Sequence, residues 1–363
     1  MNFASDNVVG ASAPVMEALQ RANAGAMGAY GSDEVTARVT RALCELFERE
    51  VAVHLVATGT AANALALACL APPWGAVLTH DESHVADDEC GAPEFFSHGA
   101  KLVGLPGVGG KIALPALEAA LKRMPAGVVK QVQPAAVSMT QATEAGLVHS
   151  IAEIEALAEA CRPRGLALHM DGARFANALV SLGCSPAAMT WKAGVDVLSF
   201  GATKNGCLAA EAVIVFDPER FERANGEMPW RRKRGGHTLS KGRLLAAQLE
   251  GYLAGDHWLA NARAANAAAK RLAEGLSRLP GVRLAWPAEA NEVFPILPLA
   301  LHERLKAAGF LYHPWSSGHL PAGERVGPGE IMVRLVTSFA TTDAAVDALF
   351  REARAGTDAA RAA

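Results

Sequence analysis

Short apolar runs typical of buried strands alternate with helical segments along most of this 363-residue chain. The runs are bounded by glycine or polar residues, whereas the helical segments repeat their apolar residues every three or four positions. Because strands that alternate with helices build parallel sheets, the pattern predicts an α/β fold whose ligands bind beyond the carboxyl ends of the strands. The strand-like runs lie at 51–58, 77–79, 102–105, 128–139, 166–171, 195–200 and 212–216.

The last third of the chain alternates as well, but with fewer strands, and this change predicts a second domain. A chain of this length commonly holds two domains, and its 51% apolar content is enough to bury a large core. We predict a large domain with a mainly parallel sheet, followed by a smaller C-terminal α/β domain. The predicted boundaries are 1–14 for an extended N-terminal arm, 15–252 for the large domain and 253–363 for the small domain.

The charge balance gives no reason to expect nucleic acid or an anionic membrane as a partner. Lys and Arg number 34 against 37 Asp and Glu, a net charge of −3. No run approaches the length of a membrane span, and no signal-peptide pattern opens the sequence. The six cysteines are scattered without a Cys-x-x-Cys pair, which indicates reduced thiols in a cytoplasmic protein. The expected partner is a small molecule.

Lys204 follows the apolar run at 195–200 and stands between Gly201 and Gly206. An amine just beyond a buried strand is poorly solvated, and desolvation lowers the pKa of an amine toward the range in which it is a nucleophile. Such a residue can form a Schiff base with a carbonyl cofactor, whereas a surface lysine in a turn is the simpler interpretation of this stretch alone. Asp171 ends another apolar run in the same way, which favours one shared site at the strand ends.

Two glycine-containing stretches are candidates for anion sites. Gly59 and Thr60 join a strand-like run to a helix, and the start of a helix offers free backbone N–H groups to an anion. A plain helix N-cap is an equally good interpretation of that pair. The stretch 104–111 fails the spacing of a phosphate loop, and Ile112 stands where Ser or Thr is required, so this stretch predicts a turn.

Three other polar features are weaker signals. His80 and His84 lie among acidic residues, but this spacing without a third placed ligand is a weak metal pattern, and we predict no metal. The basic cluster at 230–234 is typical of a solvated helix end, with a phosphate-facing or subunit-facing role as the alternative. Arg334 interrupts an apolar run, where it either faces solvent or receives a carboxylate through its guanidinium.

Several stretches, taken in order, resemble one family of enzymes. The set consists of Tyr30-Gly-Ser-Asp, Ala57-Thr-Gly-Thr-Ala-Ala-Asn63, His84, Asp171-Gly-Ala-Arg174, Lys204 and Arg334. Together they are similar to the low-specificity L-threonine aldolases, a group of fold-type-I pyridoxal-phosphate enzymes close to the β-eliminating lyases. The similarity runs from Ser5 to Thr337, nearly the whole chain.

The resemblance implies a role for each residue of a cofactor site. Lys204 would hold pyridoxal 5'-phosphate through a Schiff base, and Asp171 would keep the pyridine nitrogen protonated, which makes the ring an electron sink. Arg174 would lie near the 3-oxygen of the ring, and His84 would stack on its outer face. The Gly59-Thr60 pair would bind the phosphate.

The resemblance also implies a substrate site and an assembly. Ser5 and Arg334, together with Arg174, would hold the substrate carboxylate, and Tyr30 would come from a neighbouring subunit. The family consists of dimers that share active sites, often assembled into tetramers. A homo-oligomer, and specifically a homotetramer, is therefore expected.

The sequence departs from the family pattern at two places. Many relatives have a histidine where this chain has Gln141, and an amide can only hydrogen-bond the substrate β-hydroxyl. His84 then becomes the main candidate for the base that removes the β-hydroxyl proton, with a bound water as the alternative. Relatives also have an arginine near 235–241, which leaves Ser240 or Lys241 as a candidate for contact with phosphate or substrate.

The reaction implied by the resemblance is reversible cleavage of L-threonine, L-allo-threonine or related β-hydroxy-α-amino acids such as phenylserine. Its products are glycine and an aldehyde. The same lysine, aspartate and arginine would serve β-elimination or transamination, so these reactions stay open as alternatives. A non-catalytic or nucleotide-binding α/β protein is the alternative from another class, and the missing phosphate loop argues against it.

Overall fold

The chain folds around one large sheet, whose strands match the apolar runs of the sequence. The computed structural model describes residues 1–316 and 318–362, the stretch 356–362 by its backbone alone. Within these residues, seven strands form the large sheet in the order β1-β9-β8-β7-β6-β2-β3, and β4 and β5 form a hairpin. The strands are β1 (Ala52–Val56), β2 (Gly75–His80), β3 (Lys101–Leu105), β4 (Gly107–Val108), β5 (Lys111–Ile112), β6 (Gln133–Thr140), β7 (Ala167–Gly172), β8 (Val197–Gly201) and β9 (Glu211–Val215).

The sheet is mainly parallel, so the predicted α/β class is confirmed. β3, β2, β6, β7 and β8 pair in parallel, and β9 runs antiparallel to both β8 and β1. The carboxyl ends of β1, β2, β6, β7 and β8 therefore lie at one edge of the sheet. The amino end of β9 lies at that same edge, because this strand runs in the opposite direction.

Helices cover both faces of the sheet, which is why its strands are apolar throughout. In β9, Ala212 and Ile214 belong to one hydrophobic cluster, whereas Val213 and Val215 belong to another. Successive strand side chains point to opposite faces, so both faces are buried. The helices of this part are α1 (Ala13–Ala22), α2 (Glu34–Leu46), α3 (Gly59–Leu70), α4 (His84–Asp87), α5 (Ala92–Phe96), α6 (Leu114–Arg123), α7 (Ile151–Cys161), α8 (Phe175–Leu182), α9 (Pro186–Met189), α10 (Glu222–Arg234), α11 (Arg243–Leu253) and α12 (His257–Leu276).

A second, smaller α/β unit follows, as predicted for the fold class. Within the described residues its sheet has the order β10-β12-β14-β11, with β13 also paired to β14, and all these pairs are antiparallel. Its elements are β10 (Arg283–Leu284), β11 (Glu292–Val293), β12 (Pro295–Pro298), α13 (Leu299–Ala307), β13 (His313–Pro314), β14 (Glu330–Val336) and α14 (Asp343–Ala362).

Helix α12 joins the two units. Trp258 near its start belongs to the core of the large sheet, whereas Leu272 belongs to the core of the small unit. Phe3 is buried in that second core as well, and its N–H donates to the carbonyl of Leu311 at 2.8 Å. The N-terminal segment therefore packs on the C-terminal part of the chain, while the boundaries 1–14, 15–252 and 253–363 stay a prediction.

The described part of the chain contains no helix that is both long enough and apolar enough to cross a bilayer.

Candidate active site

A cavity of about 320 Å³ lies at the carboxyl edge of the large sheet. Its walls come from the residues that follow β1, β2, β6, β7 and β8 and from the first residues of α3 and β9. Six residues predicted from the sequence line it together: Gly59, Thr60, His84, Asp171, Arg174 and Lys204. The strand-end argument therefore leads to one cavity.

Lys204 stands on a rigid turn directly after β8. The turn is the 3₁₀ segment Thr203–Asn205, and the Asn205 amide donates to Tyr252 Oη and to the Trp258 carbonyl, both at 2.8 Å. The next residue, Gly206, has φ +132°, and a Cβ there would lie 2.7 Å from the Asn261 amide nitrogen. The glycine flanking the lysine is thus required by the turn itself.

Asp171 is a buried carboxylate with two donors. Its Oδ2 accepts from Asn63 Nδ2 at 2.7 Å, and its Oδ1 accepts from the Ala173 N–H at 2.9 Å. Asn63 Nδ2 also donates to Glu89 Oε1 at 2.9 Å, and this same oxygen lies 3.0 Å from His84 Nδ1. The hydrogen bond that Glu89 accepts from the ring raises the pKa of His84 above its usual value.

The first turn of α3 borders the cavity with its backbone. Thr58 caps the helix, since its Oγ1 accepts from the Ala61 N–H at 3.1 Å. First-turn N–H groups have no acceptor within a helix, and the helix dipole favours an anion at this end. A Cβ added to Gly59 would meet no atom within 4 Å, so the space above the turn is open. The turn can therefore receive a phosphate.

Two further acids, Glu144 and the buried Glu211, line the cavity. Glu144 Oε1 accepts from the His84 N–H at 2.7 Å and from Thr140 Oγ1 at 2.8 Å. Glu211 Oε2 accepts from the Ala202 N–H at 2.7 Å. Burial raises the pKa of Glu144 to about 7, and burial likewise raises the pKa of Glu211 to about 7. Neither carboxyl is therefore fully ionised at neutral pH.

Replacing Glu211 with glutamine is expected to change how stability depends on pH. The folded chain binds the Glu211 proton more tightly than the unfolded chain, because burial raises the pKa from 4.5 to about 7. That stabilisation is fully present below pH 4.5 and is lost as the pH rises through about 7. The free energy of unfolding of Glu211→Gln, relative to that of the wild type, should therefore rise by about 1.4 kcal/mol for each pH unit across this window. Urea unfolding of both proteins at pH 5 and pH 7 measures this relative rise. The same difference in unfolding free energy between variant and wild type at both pH values would contradict the prediction.

Arg174 is buried between two acids that the sequence did not point to. Its Nε and Nη2 donate to Asp6 Oδ2 and Oδ1 at 2.9 and 3.1 Å, and its Nη1 lies 3.3 Å from Glu292 Oε2. Burial alone would raise the pKa of Asp6, but Arg174, Lys204 and the hydrogen bond from Asn291 together outweigh burial and lower it. Burial raises the pKa of Glu292.

Arg334 and Ser5 lie next to the cavity and do not line it. The Arg334 guanidinium stacks on Trp315 at 4.3 Å from the ring centroid, and its Nη1 is 3.8 Å from Glu292 Oε1. Ser5 Oγ accepts from the N–H of Asn7, which does line the cavity. Asn7 and Arg174, and not the two predicted carboxylate contacts, line the cavity on this side.

Three other candidates lie away from the cavity of their own chain. Tyr30 is 55% exposed, with the Lys233 ammonium 4.9 Å from its ring centroid, and its N–H donates to the carbonyl of Ser240. Lys241 follows Ser240 on the exposed surface beside Tyr30. All three therefore lie on one surface.

Gln141 directly follows β6, as the motif predicted, but its side chain does not line the cavity. Its side chain is fully buried, with Nε2 donating to the His149 carbonyl at 3.0 Å and Oε1 accepting from the His149 N–H at 2.9 Å. Both ends of the amide are therefore engaged inside the wall. In this conformation the amide of Gln141 faces the backbone of His149 and not the cavity.

A cluster of metal-ligand types lies outside the cavity. His80, Asp81 and His319 bring ligand atoms within 4.8 Å of one another. His319 Nε2 is 3.2 Å from Asp81 Oδ1, and His80 Nδ1 accepts from the Glu82 N–H at 3.1 Å. The third side chain comes from a distant segment, which is why the sequence did not reveal it. His80 Nε2 and Asp81 Oδ1 have no hydrogen-bond partner among the described residues, and the absence of a metal stays a prediction.

A family model described as "Beta-eliminating lyase" matches residues 2–298. The chain belongs to the β-eliminating lyase family. Among relatives, it is 44% identical over 312 residues to a low specificity L-threonine aldolase of Pseudomonas aeruginosa, covering 86% of this chain and 88% of the relative. It is 40% identical to a low specificity L-threonine aldolase of Pseudomonas sp. (strain NCIMB 10558), covering 97% of each chain.

A solved structure of Leishmania major threonine aldolase has the same fold along its whole length. The TM-score is 0.85 at 29% identity, and the match covers 98% of each chain. The similarity to the low-specificity L-threonine aldolases that the motifs indicated is thus confirmed for this β-eliminating lyase.

Six polar residues around the site of this family member were missed by sequence reasoning. They are Asp6, Asn63, Glu89, Glu144, Glu211 and Glu292. Two of them had a usable signal, because Asn63 stands in the first turns of an otherwise apolar helix and Glu89 follows His84 by five residues. The other four carry no local pattern that distinguishes them from solvent-exposed acids.

Proposed function

We propose that this chain is a pyridoxal-phosphate-dependent lyase that cleaves L-threonine, L-allo-threonine and related β-hydroxy-α-amino acids such as phenylserine. The products are glycine and an aldehyde, and the reaction is reversible. The observation that carries the proposal is the meeting of Lys204, Asp171, His84 and the first turn of α3 in one cavity. The names of the two Pseudomonas relatives support the substrate class.

The groups around the cavity fit pyridoxal 5'-phosphate. Lys204 would hold it through its amine, Asp171 would face its ring nitrogen, and the first turn at Gly59 and Thr60 would hold its phosphate. His84 would lie against the ring. When bound, the cofactor supplies a conjugated sink for the electron pair released from the Cα–Cβ bond.

The substrate would be oriented by the charged network beside the cavity. Arg174 lines the cavity and carries the positive charge that a carboxylate requires, and Arg334 lies behind it across Glu292. His84 would accept the β-hydroxyl proton through the ring nitrogen that does not face Glu89, with a bound water as the alternative.

The assembly and location are part of the same proposal. A homotetramer built from dimers with shared sites is supported by Tyr30, which is largely exposed and lies outside the cavity of its own chain. Trp230 and Phe95, at 79% and 74% exposure, offer further apolar surface for such an assembly. A cytoplasmic location is supported by the six cysteines, all of which are free thiols.

Protein loaded with pyridoxal 5'-phosphate is expected to convert L-threonine to glycine and acetaldehyde in equal amounts. Proton NMR of the mixture over time measures both products directly. The same mixture made with borohydride-reduced protein, in which the Lys204 linkage is fixed, is the control and should show no conversion. 2-Oxobutyrate and ammonia instead of glycine would favour the alternative, β-elimination, and an amino-group transfer product would favour transamination.

A further inference from the structure

Four side chains that line the cavity form one continuous chain of hydrogen bonds, and three of them, Asn63, Glu89 and Asp171, are buried. His84 Nδ1 lies 3.0 Å from Glu89 Oε1, Glu89 Oε1 accepts from Asn63 Nδ2 at 2.9 Å, and Asn63 Nδ2 donates to Asp171 Oδ2 at 2.7 Å. The four residues come from separate places in the fold: the start of α4, the loop after it, α3 and β7. The chain of hydrogen bonds thus joins the imidazole at one wall to the carboxylate at the end of a central strand.

We propose that Glu89 is the positioning residue of this site: it orients His84 and holds the proton of that imidazole, and Asn63 ties it to Asp171. The inference rests on the proposed function, because it gives His84 the β-hydroxyl proton to handle. Glu89 acts through His84 and is not itself assigned a contact with substrate.

The argument begins with what it costs to bury Glu89. Its side chain has no exposed surface, its Oε1 receives both donors, and its Oε2 has no hydrogen-bond partner among the described residues. A buried carboxylate is stable only where charge or hydrogen bonds replace the lost water. A structural hydrogen bond to His84 and Asn63 would be made as well by a neutral amide, without that cost. The carboxylate is therefore explained by a partner that can take up a proton, and His84 is the titratable side chain in direct contact.

The acidic groups around His84 also favour the protonated form of its imidazole. Glu89 contacts its ring, Asp171 acts on it from the strand end, and Glu144 holds its backbone N–H at 2.7 Å. Lys204 is the positive group that opposes them. The contact with Glu89 is the largest influence, and it raises the pKa of the imidazole. His84 consequently keeps its proton to a higher pH than an isolated histidine would.

Asn63 explains why two carboxylates can lie so close together. One amide nitrogen donates to Glu89 and to Asp171, so it screens two like charges that would otherwise repel each other at this distance. Its own Oδ1 has no partner among the described residues, so the side chain is held by its donor side alone. A change in charge at Glu89 therefore alters the electrostatic environment of the Asp171 carboxylate.

The proton balance of the step is simple. The β-hydroxyl proton passes to the free nitrogen of His84, and the O–H electron pair forms the carbonyl bond of the aldehyde. The Cα–Cβ bond breaks, its electron pair stays on the glycine fragment, and a proton later added at Cα completes glycine. Because His84 must start without its proton, cleavage slows as the pH falls below the pKa of His84.

Glu89→Gln in the holoenzyme tests the proposal. The amide has the shape of the carboxylate and lacks its charge, so the pKa of His84 should fall and the acid limb of the kcat profile for L-threonine should move about one unit to lower pH. At the optimum, kcat should fall about 10- to 100-fold. Asp87→Asn, the same change at an exposed acid of the same segment, is the matched control and should move neither quantity.

If Glu89→Gln lowers kcat equally at every pH and leaves the acid limb at its wild-type pH, Glu89 has a structural role and the proposal is overturned. Should Glu89→Gln fail to fold, Glu89→Asp keeps the charge and is expected to lower kcat while leaving the acid limb near its wild-type position. An acid limb moved by a full unit in Glu89→Asp would contradict the charge argument. Absence of glycine and acetaldehyde with the wild type would instead refute the proposed function, so the two failures are distinct.

Asn63→Ala tests the link to Asp171 with a readout other than turnover. Loss of the donor at 2.7 Å should leave two facing carboxylates without their shared amide. We expect the Kd for pyridoxal 5'-phosphate, measured by fluorescence titration, to rise about tenfold, while Glu89→Gln changes it by less. An unchanged Kd in Asn63→Ala would remove Asn63 from the proposal.

Discussion

Replacing Lys204 with alanine is expected to lower the turnover of L-threonine by on the order of 10⁴-fold or more. The side chain supplies the amine at the cavity and stands on a turn held by Asn205 and Gly206, so no neighbouring residue can take its place. The fold should survive, because the turn is held by these other residues. Turnover is measured by NMR of glycine and acetaldehyde, and covalent attachment by mass spectrometry after borohydride reduction.

Lys192→Ala is the matched control for this variant. Lys192 forms a surface ion pair with Glu48 and does not line the cavity. Exposed ion pairs contribute little to stability, so the control should keep wild-type turnover and covalent labelling. Retained turnover in Lys204→Ala would refute the proposed role of Lys204. Retained labelling would show that another amine reacts with the cofactor.

The strand-end residues could be predicted from the sequence because they depend on local pattern. Asp171 ends β7 and Lys204 follows β8, and an apolar run fixes both the strand and the edge at which it ends. Parallel neighbours then bring those ends together without any knowledge of the side chains. Gly59 and Thr60 follow the same logic, since the first residues of α3 come directly after β1.

The partners of these residues could not be predicted, because they come from distant parts of the chain. Arg174 meets Asp6 across 168 positions of sequence, and Glu292 approaches it from the small domain. Nothing in the residues around Asp6 or Glu292 distinguishes a buried acid from an exposed one. Long-range pairing of this kind depends on how the two domains pack, which local periodicity does not encode.

Gln141 shows a different limit of the sequence. The motif places it correctly at the end of β6, yet its amide turns into the wall and binds the backbone of His149. A position at the cavity edge therefore does not fix the direction of the side chain. For the same reason the hydrogen bonds of Glu144, which lies three residues further on and does line the cavity, became visible only in the structure.

Replacing Arg174 with methionine is expected to destabilise the protein by about 3–5 kcal/mol. The change keeps an apolar stem of similar length and removes the guanidinium that faces Asp6 and Glu292, which are 2% and 1% exposed. Two carboxylates would then be buried beside each other without a cation. Urea unfolding at pH 7 measures the loss, with Arg162→Met as control, because Arg162 forms an exposed pair with Glu159 and should change stability by less than about 1 kcal/mol.

The pH dependence of that loss separates charge from packing. In the wild type, Arg174 lowers the pKa of Asp6, so the stability from this pair is present at neutral pH and is lost as the pH falls through the lowered pKa. Without the guanidinium, both acids can instead take up protons on burial, and the defect of Arg174→Met should shrink between pH 7 and pH 4. Adding Asp6→Asn should recover part of the loss at pH 7. A defect of equal size at both pH values would mean that Arg174 stabilises the protein through packing and not through its charge.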